Sequence, residues 1–176
     1  MGKEDIKAIV KGDKKVIRGW VMYDWANSVY QLTVTTAFFP LYYGAMTSKG
    51  GNFTVSFFGF EIVNTVLYSL AIAASYLIVA VLSPLLSSMA DYTGRRKGFM
   101  RAFTWIGAIG CGMLFFFNET NVEFGIIAFM LGTIGYCGSI VFYNSFLPRI
   151  AAPEDQDRIS ARGYSMGYLG GVVLLV

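Results

Sequence analysis

The chain alternates between long apolar stretches and short clusters of charge, and the charge-free intervals mark out its elements. Glu61 and Asp91 bracket 29 uncharged residues, Arg101 and Glu119 bracket 17, and Glu123 and Arg149 bracket 25. A helix rises about 1.5 Å per residue and a hydrocarbon core is about 30 Å thick, so each interval predicts a transmembrane helix. The first, at roughly 43 Å, must tilt or extend past the bilayer, and the second, at roughly 25 Å, must recruit its flanks. A further span runs over 20–46, interrupted only by Asp24. A last one begins at Tyr164 and is still apolar at Val176, which gives only about 20 Å of helix. The expected order is a cytoplasmic segment 1–19, spans at 20–46, 62–90, 100–118 and 124–147, and an incomplete fifth at 164–176. The fold class is all-α, a polytopic membrane helix bundle, expected to be the N-terminal portion of something longer.

Composition supports that reading. Hydrophobic residues make up 55% of the 176 residues and charged residues 14%, with a mean hydropathy of +0.54. Disorder, coiled coil and a basic nucleic-acid binder are thereby excluded, and the expected partner is the lipid bilayer. The chain has no histidine. That removes the usual general base near neutral pH, the commonest metal ligand and every Ser-His-Asp or Cys-His arrangement, so neither an enzyme nor a metal or cofactor site is expected. Cys111 and Cys137 lie in apolar stretches without Cys-x-x-Cys spacing and read as packing residues.

The cations fix an orientation. Lys3, Lys7, Lys11, Lys14, Lys15 and Arg18 precede the first span; Arg95, Arg96, Lys97 and Arg101 follow the second; Arg149, Arg158 and Arg162 follow the fourth. The opposite side carries Lys49 alone, an asymmetry that predicts a cytoplasmic N-terminus. The apolar run after the basic segment is too long for a signal peptide and holds Asp24, Asn27 and Gln31. Ile6, Ile9, Val10, Val16 and Ile17 among the lysines read as a segment on the inner membrane face. Trp20, Phe57, Phe58 and Phe60 suit interfacial aromatic belts. Pro40 and Pro84 predict kinks or stops, and Asn52 and Asn118 head sequons on the outer side.

Within the first span, Asp24, Asn27, Ser28, Gln31 and Thr35 recur at helical spacing and form one polar stripe. A carboxylate costs about 2.5 to 3.5 kcal/mol at mid-bilayer, so the stripe belongs on a cavity or against partner helices. For Asp24 the alternative is a structural pairing with a basic residue near the interface. Asn144, at the end of the fourth span, either hydrogen-bonds across helices or lines the same cavity. The second connection reads Ser87-Ser88-Met89-Ala90-Asp91-Tyr92-Thr93-Gly94-Arg95-Arg96-Lys97, a tight hairpin in which Gly94 supplies positive φ. On charge alone it is a topogenic loop. Gly132, Gly135 and Gly138, and Gly163, Gly167 and Gly171, predict surfaces of close helix approach.

Ser87-x-x-x-Asp91-Tyr92-x-Gly94-Arg95-Arg96-Lys97 between the second and third spans resembles the loop signature of the major facilitator superfamily, with Ser87 where that family usually has glycine. Tyr23-Asp24-Trp25-Ala26-Asn27-Ser28 with Phe38-Phe39-Pro40, then Tyr143-Asn144-Ser145-Phe146-Leu147-Pro148, and Asp157 to Tyr164 leading to Gly167-Tyr168-Leu169-Gly170-Gly171, are similar to the branch that includes the autophagy-related vacuolar amino-acid effluxers and their bacterial relatives. The resemblance implies a twelve-helix fold of two halves, alternating access, and a solute path along their interface. It implies that Asp91 closes the cytoplasmic side against a helix of the missing C-terminal half, with Gly94, Arg95 and Arg96 bracing that gate. Asp24, Asn27, Gln31 and Asn144 are the candidates on the path. The function expected is secondary transport of a small-molecule solute, with amino acids favoured by the resemblance, in a prokaryotic cell membrane or a fungal vacuolar membrane. The alternative is a small polytopic scaffold or assembly protein acting as a homo-oligomer.

Overall fold

The computed structural model describes residues 10–48, 51 and 53–175. Lys3, Lys7, Ile6 and Ile9 of the basic segment, and Lys49, Asn52 and Val176, lie outside the described residues.

Helix α1 (Lys14–Val29) starts where the Asp13 carboxylate accepts the Lys15 N–H at 2.8 Å, a side-chain N-cap. It runs without interruption into a π-helical segment, Tyr30–Phe38, and then into α2 (Phe39–Thr47). Pro40 supplies the reason: it has no N–H to return to the preceding turn and its ring crowds the carbonyl four residues back, so the upstream ladder widens. The Phe39 N–H bonds Val34, five residues away, and the Thr36 hydroxyl donates to the Gln31 carbonyl at 2.9 Å.

A β-hairpin follows that the apolar pattern did not foretell. Strands β1 (Thr54–Phe57) and β2 (Phe60–Val63) pair antiparallel, Thr54 opposite Val63 and Phe57 opposite Phe60. Both turn residues are left-handed, Phe58 at φ 48° and Gly59 at φ 86°, the geometry that two-residue hairpins favour. Phe57, Phe58 and Phe60, expected in an interfacial belt, lie in this hairpin, with Phe58 and Phe60 exposed. Helix α3 (Asn64–Thr93) contains Pro84 and stops at Gly94, which adopts φ 67° as its C-cap. Helices α4 (Arg96–Leu114), α5 (Val122–Ile150) and α6 (Pro153–Leu175) complete the chain.

Two helices have bounds that differ from the expected spans. The third span was set at 100–118, but its helix covers Arg96–Leu114. The fifth was set at 164–176 behind a charged connection, whereas α6 begins at Pro153. Proline fits the first turn of a helix, where its missing N–H costs nothing, and Glu154 and Asp155 sit at the positive end of the helix dipole. The helix is therefore about 35 Å long rather than a stub.

Helix α5 is the axis of the bundle, with α3 and α4 packed on it and α1 paired with α6. Two apolar clusters occupy opposite ends. Phe39, Tyr43, Leu67, Phe117, Ile126 and Phe129 meet under the hairpin residue Val55, with the Phe39 and Phe129 rings stacked at 4.2 Å. Trp20, Val21, Tyr143, Ile150, Ala151 and Ile159 close the other end. Trp20 is not an interfacial anchor: it stacks on Tyr143 at 4.3 Å, and its indole N–H donates to the Tyr143 carbonyl at 3.1 Å. Outward, α3 exposes Leu70, Leu77, Val81 and Leu85, α4 exposes Trp105 and Ile109, and α6 exposes Leu169 and Val173. Among the described residues, α3 and α5 are long and apolar enough to cross a membrane, and only 22% of the apolar stretch of α3 is buried. A soluble core helix would be mostly covered; this surface suits lipid.

Candidate functional site

The seam between α1 and α6 is where polar side chains meet glycines. Gly163 and Gly167 lie one turn apart on α6 and present bare backbone to α1. Asp24 occupies that space: a Cβ on Gly163 or Gly167 would stand 3.4 or 3.2 Å from its Oδ2, and one on Gly167 would stand 2.6 Å from the Ser28 hydroxyl. Asp24 is 9% exposed, and among the described residues no hydrogen bond or ion pair reaches its carboxylate. The Tyr143 hydroxyl borders the same glycine, 3.1 Å from where a Gly163 Cβ would be, and is likewise buried without a partner among the described residues.

The polar residues of the first span do not share one surface. Asp24, Ser28 and Gln31 keep to the α6 side, but Asn27 turns to α5, where the Ser139 hydroxyl donates to its Oδ1 at 3.4 Å. Thr35 is buried, and its backbone carbonyl accepts the Tyr68 hydroxyl of α3 at 2.7 Å. Regular α-helical geometry accounts for the split, because Asn27 and Ser28 are adjacent within α1 and point about 100° apart.

Two cavities result. One, of about 240 Å³, lies between α1, α4 and α5 and is lined by Asn27, Tyr30, Thr104, Cys111 and Tyr136. The other, of about 220 Å³, is lined by Ser28, Gln31, Tyr136, Tyr164, Gly167 and Tyr168, and the buried Gln31 Oε1 has no donor among the described residues. Asn144 joins neither. It is exposed on α5 while its neighbour Tyr143 is buried, since adjacent residues point about 100° apart on a helix.

The hairpin between α3 and α4 lies at the end of the bundle that carries Trp20 and Ile150. Asp91 and Arg96 form an ion pair, and Arg96 Nη1 also donates to the Ser145 carbonyl of α5 at 3.3 Å. Gly94 makes the turn and Arg95, exposed, precedes α4. Asp91 thus engages its own hairpin, and Arg96 fastens that hairpin to α5.

The tyrosines escaped the sequence reading as site residues. Tyr30 donates to the Phe129 carbonyl at 3.2 Å and pairs with the Thr133 hydroxyl at 3.0 Å, and Tyr136, Tyr143, Tyr164 and Tyr168 surround Asp24 and Gln31. The available signal was tyrosine well inside apolar spans, where the hydroxyl needs a partner that lipid cannot give.

A bundle with a lipid-suited exterior and unpaired polar groups along an internal seam belongs to the class of polytopic membrane proteins. A family model described as "Vacuole effluxer Atg22 like" matches residues 12–176, and the chain belongs to this family, within the major facilitator transporters that the loop and asparagine motifs resemble. It is 33% identical over 165 residues to the "Uncharacterized MFS-type transporter YxiO" of Bacillus subtilis, covering 94% of this chain and 37% of that protein. It is 27% identical over 161 residues to "Autophagy-related protein 22" of Pyricularia oryzae, covering 77% of this chain and 24% of the relative. The protein of that name in Chaetomium globosum is 29% identical over 169 residues, with 82% and 26% covered. The chain therefore spans little more than a third of the bacterial relative and about a quarter of these fungal ones. No solved structure matches it.

Proposed function

We propose that the chain forms the first helices of a secondary active transporter that moves a small solute by alternating access, with amino acids the favoured class. In this reading the run α1 through α2, then α3, α4, α5 and α6, cross the bilayer with the basic ends in the cytoplasm. A C-terminal half beyond this chain completes the path. The membrane is the cell membrane of a prokaryote or the vacuolar membrane of a fungus.

One observation carries the proposal: Asp24 is buried at the α1–α6 seam without a partner among the described residues. A carboxylate kept for architecture would be expected to sit in an ion pair, because an unpaired one costs about 2.5 to 3.5 kcal/mol at mid-bilayer. Retaining it unpaired between glycine faces fits a group that receives a solute or an ion. Asn27 and Gln31 extend the path along α1. Asn144, exposed on α5, faces whatever the second half supplies. Asp91, Gly94, Arg95 and Arg96 form the gate, and the tie from Arg96 to the Ser145 carbonyl links its movement to α5.

Asp24→Asn in the complete protein, reconstituted into proteoliposomes, is expected to abolish uphill accumulation while insertion stays intact. Unchanged accumulation contradicts the proposal. Replacing Arg95 and Arg96 together by alanine should slow transport more than it changes apparent solute affinity; a pure affinity change removes the gate assignment.

A further inference from the structure

The cavity around Gln31 has a composition that speaks to one end of a ligand. Tyr136 of α5 and Tyr164 and Tyr168 of α6 form its walls, Ser28, Gln31 and Gly167 the remainder, and no charged side chain lines it. Tyr164 and Tyr168 are 65% and 66% exposed, two and six residues past Arg162, the last charged residue of α6. Their hydroxyls need partners that hydrocarbon cannot give, so where this face of α6 leaves the membrane interface it meets water or ligand. The Gln31 Oε1 accepts no hydrogen bond among the described residues, and the same amide lies beside the Tyr76 hydroxyl of α3. Gly167 is shared: it lines the cavity on one side and lies against the Asp24 carboxylate on the other.

These features are complementary to an ammonium group. Aromatic faces attract a cation through the ring quadrupole, an unpaired carbonyl oxygen calls for an N–H donor, and a buried carboxylate behind a glycine supplies the counter-charge. No cationic side chain lines the cavity to pair with an anion, and the Asp24 carboxylate behind Gly167 repels one. Resting on the transport reading above, we infer that this half of the path recognises the ammonium end of a primary amine or amino-acid solute. Any carboxylate of the solute is met by residues beyond this chain. A quaternary ammonium fits less well, because it has no N–H for Gln31.

The test uses the complete protein in detergent and in proteoliposomes, with 2-phenylethylamine as a probe that has the amine alone and 3-phenylpropionate as one that has the carboxylate alone. Titration calorimetry is expected to detect the amine and not the acid. Tyr164→Leu and Gln31→Leu should each weaken amine binding about tenfold, a change of about one decade in Kd. Tyr164→Phe, which keeps the ring face, should stay within about twofold of the native protein. Tyr164 is exposed, so its variants test recognition without opening a core. Binding of the acid alone, or amine binding indifferent to Tyr164→Leu and Gln31→Leu, overturns the inference. If the proteoliposomes accumulate an amino-acid mixture that 2-phenylethylamine does not inhibit, the ammonium assignment falls while transport stands. If they accumulate nothing and bind neither probe, both readings fall.

Discussion

The bundle has two seams built on glycine, and they differ in what presses into them. Between α4 and α5 the partner is backbone and ring. A Cβ on Gly110 would stand 2.9 Å from the Ala128 carbonyl oxygen, one on Gly135 would stand 2.7 Å from the Phe103 carbonyl oxygen and run into Gly107, and Gly138 receives the Phe103 ring. Along α6 most partners are side chains, Asp24 and Ser28 of α1 against Gly167, Trp20 against Gly163 and Leu32 of the π-helical segment against Gly171, with the Trp25 carbonyl and ring against Gly170. Small residues at helical spacing announce close approach in both cases. The partner's chemistry separates the two: the first seam is filled by backbone and rings, the second holds a carboxylate and hydroxyls.

The sharpest way to break this contrast is to add volume on each side of it. Gly135→Val has only backbone to displace and is expected to destabilise by about 1–3 kcal/mol, read as a lowered Tm in detergent with a thiol-reactive dye that reports exposure of Cys111 and Cys137. A neutral Gly135→Val would contradict the packing account. Gly167→Ala meets the Ser28 hydroxyl first, a side-chain atom that can rotate away. It should cost about 1 kcal/mol or less in the same assay, yet reduce accumulation in proteoliposomes by about tenfold, a barrier change near 1.4 kcal/mol. If Tm falls as far as for Gly135→Val while transport is unaffected, the α1–α6 seam is mere packing. Tyr30→Phe removes the hydroxyl bonded to the Phe129 carbonyl and Thr133, and should lower stability by about 1 kcal/mol. Arg96→Ala should have the smallest effect on stability, under about 1 kcal/mol, because its partner Asp91 is half exposed.

What the sequence disclosed and what it hid follow from the same physics. Charge-free length announces helices, so α3 and α5 were legible to within a few residues, and the left-handed Gly94 was legible because its turn requires positive φ. Charge was a poor marker for α6. Pro153 with Glu154 and Asp155 is a helix-start signal, but using charges as span limits set it aside. The π-helical segment was hidden because Pro40 acts upstream of itself, and the separation of Asn27 and Gln31 into different cavities was hidden because it depends on which helices approach them. The hairpin at Thr54–Val63 was hidden by its Phe58-Gly59 turn, which lacks the usual asparagine or aspartate. Asp24 was visible as a costly carboxylate; its tyrosine surroundings were not, since spacing within one helix cannot say which other helices approach it.

Tyr164 on α6 and Ile109 on α4 are comparably exposed, at 65% and 58%, but the account puts them in different media, an aqueous path and lipid. The decisive measurement replaces each by cysteine in a background with Cys111 and Cys137 changed to serine, and follows modification by a charged methanethiosulfonate in membranes. Rapid labelling of Tyr164→Cys with Ile109→Cys left unlabelled is the predicted result. Equal labelling of both, or protection of Tyr164→Cys alone, would contradict a water-accessible path along α1 and α6.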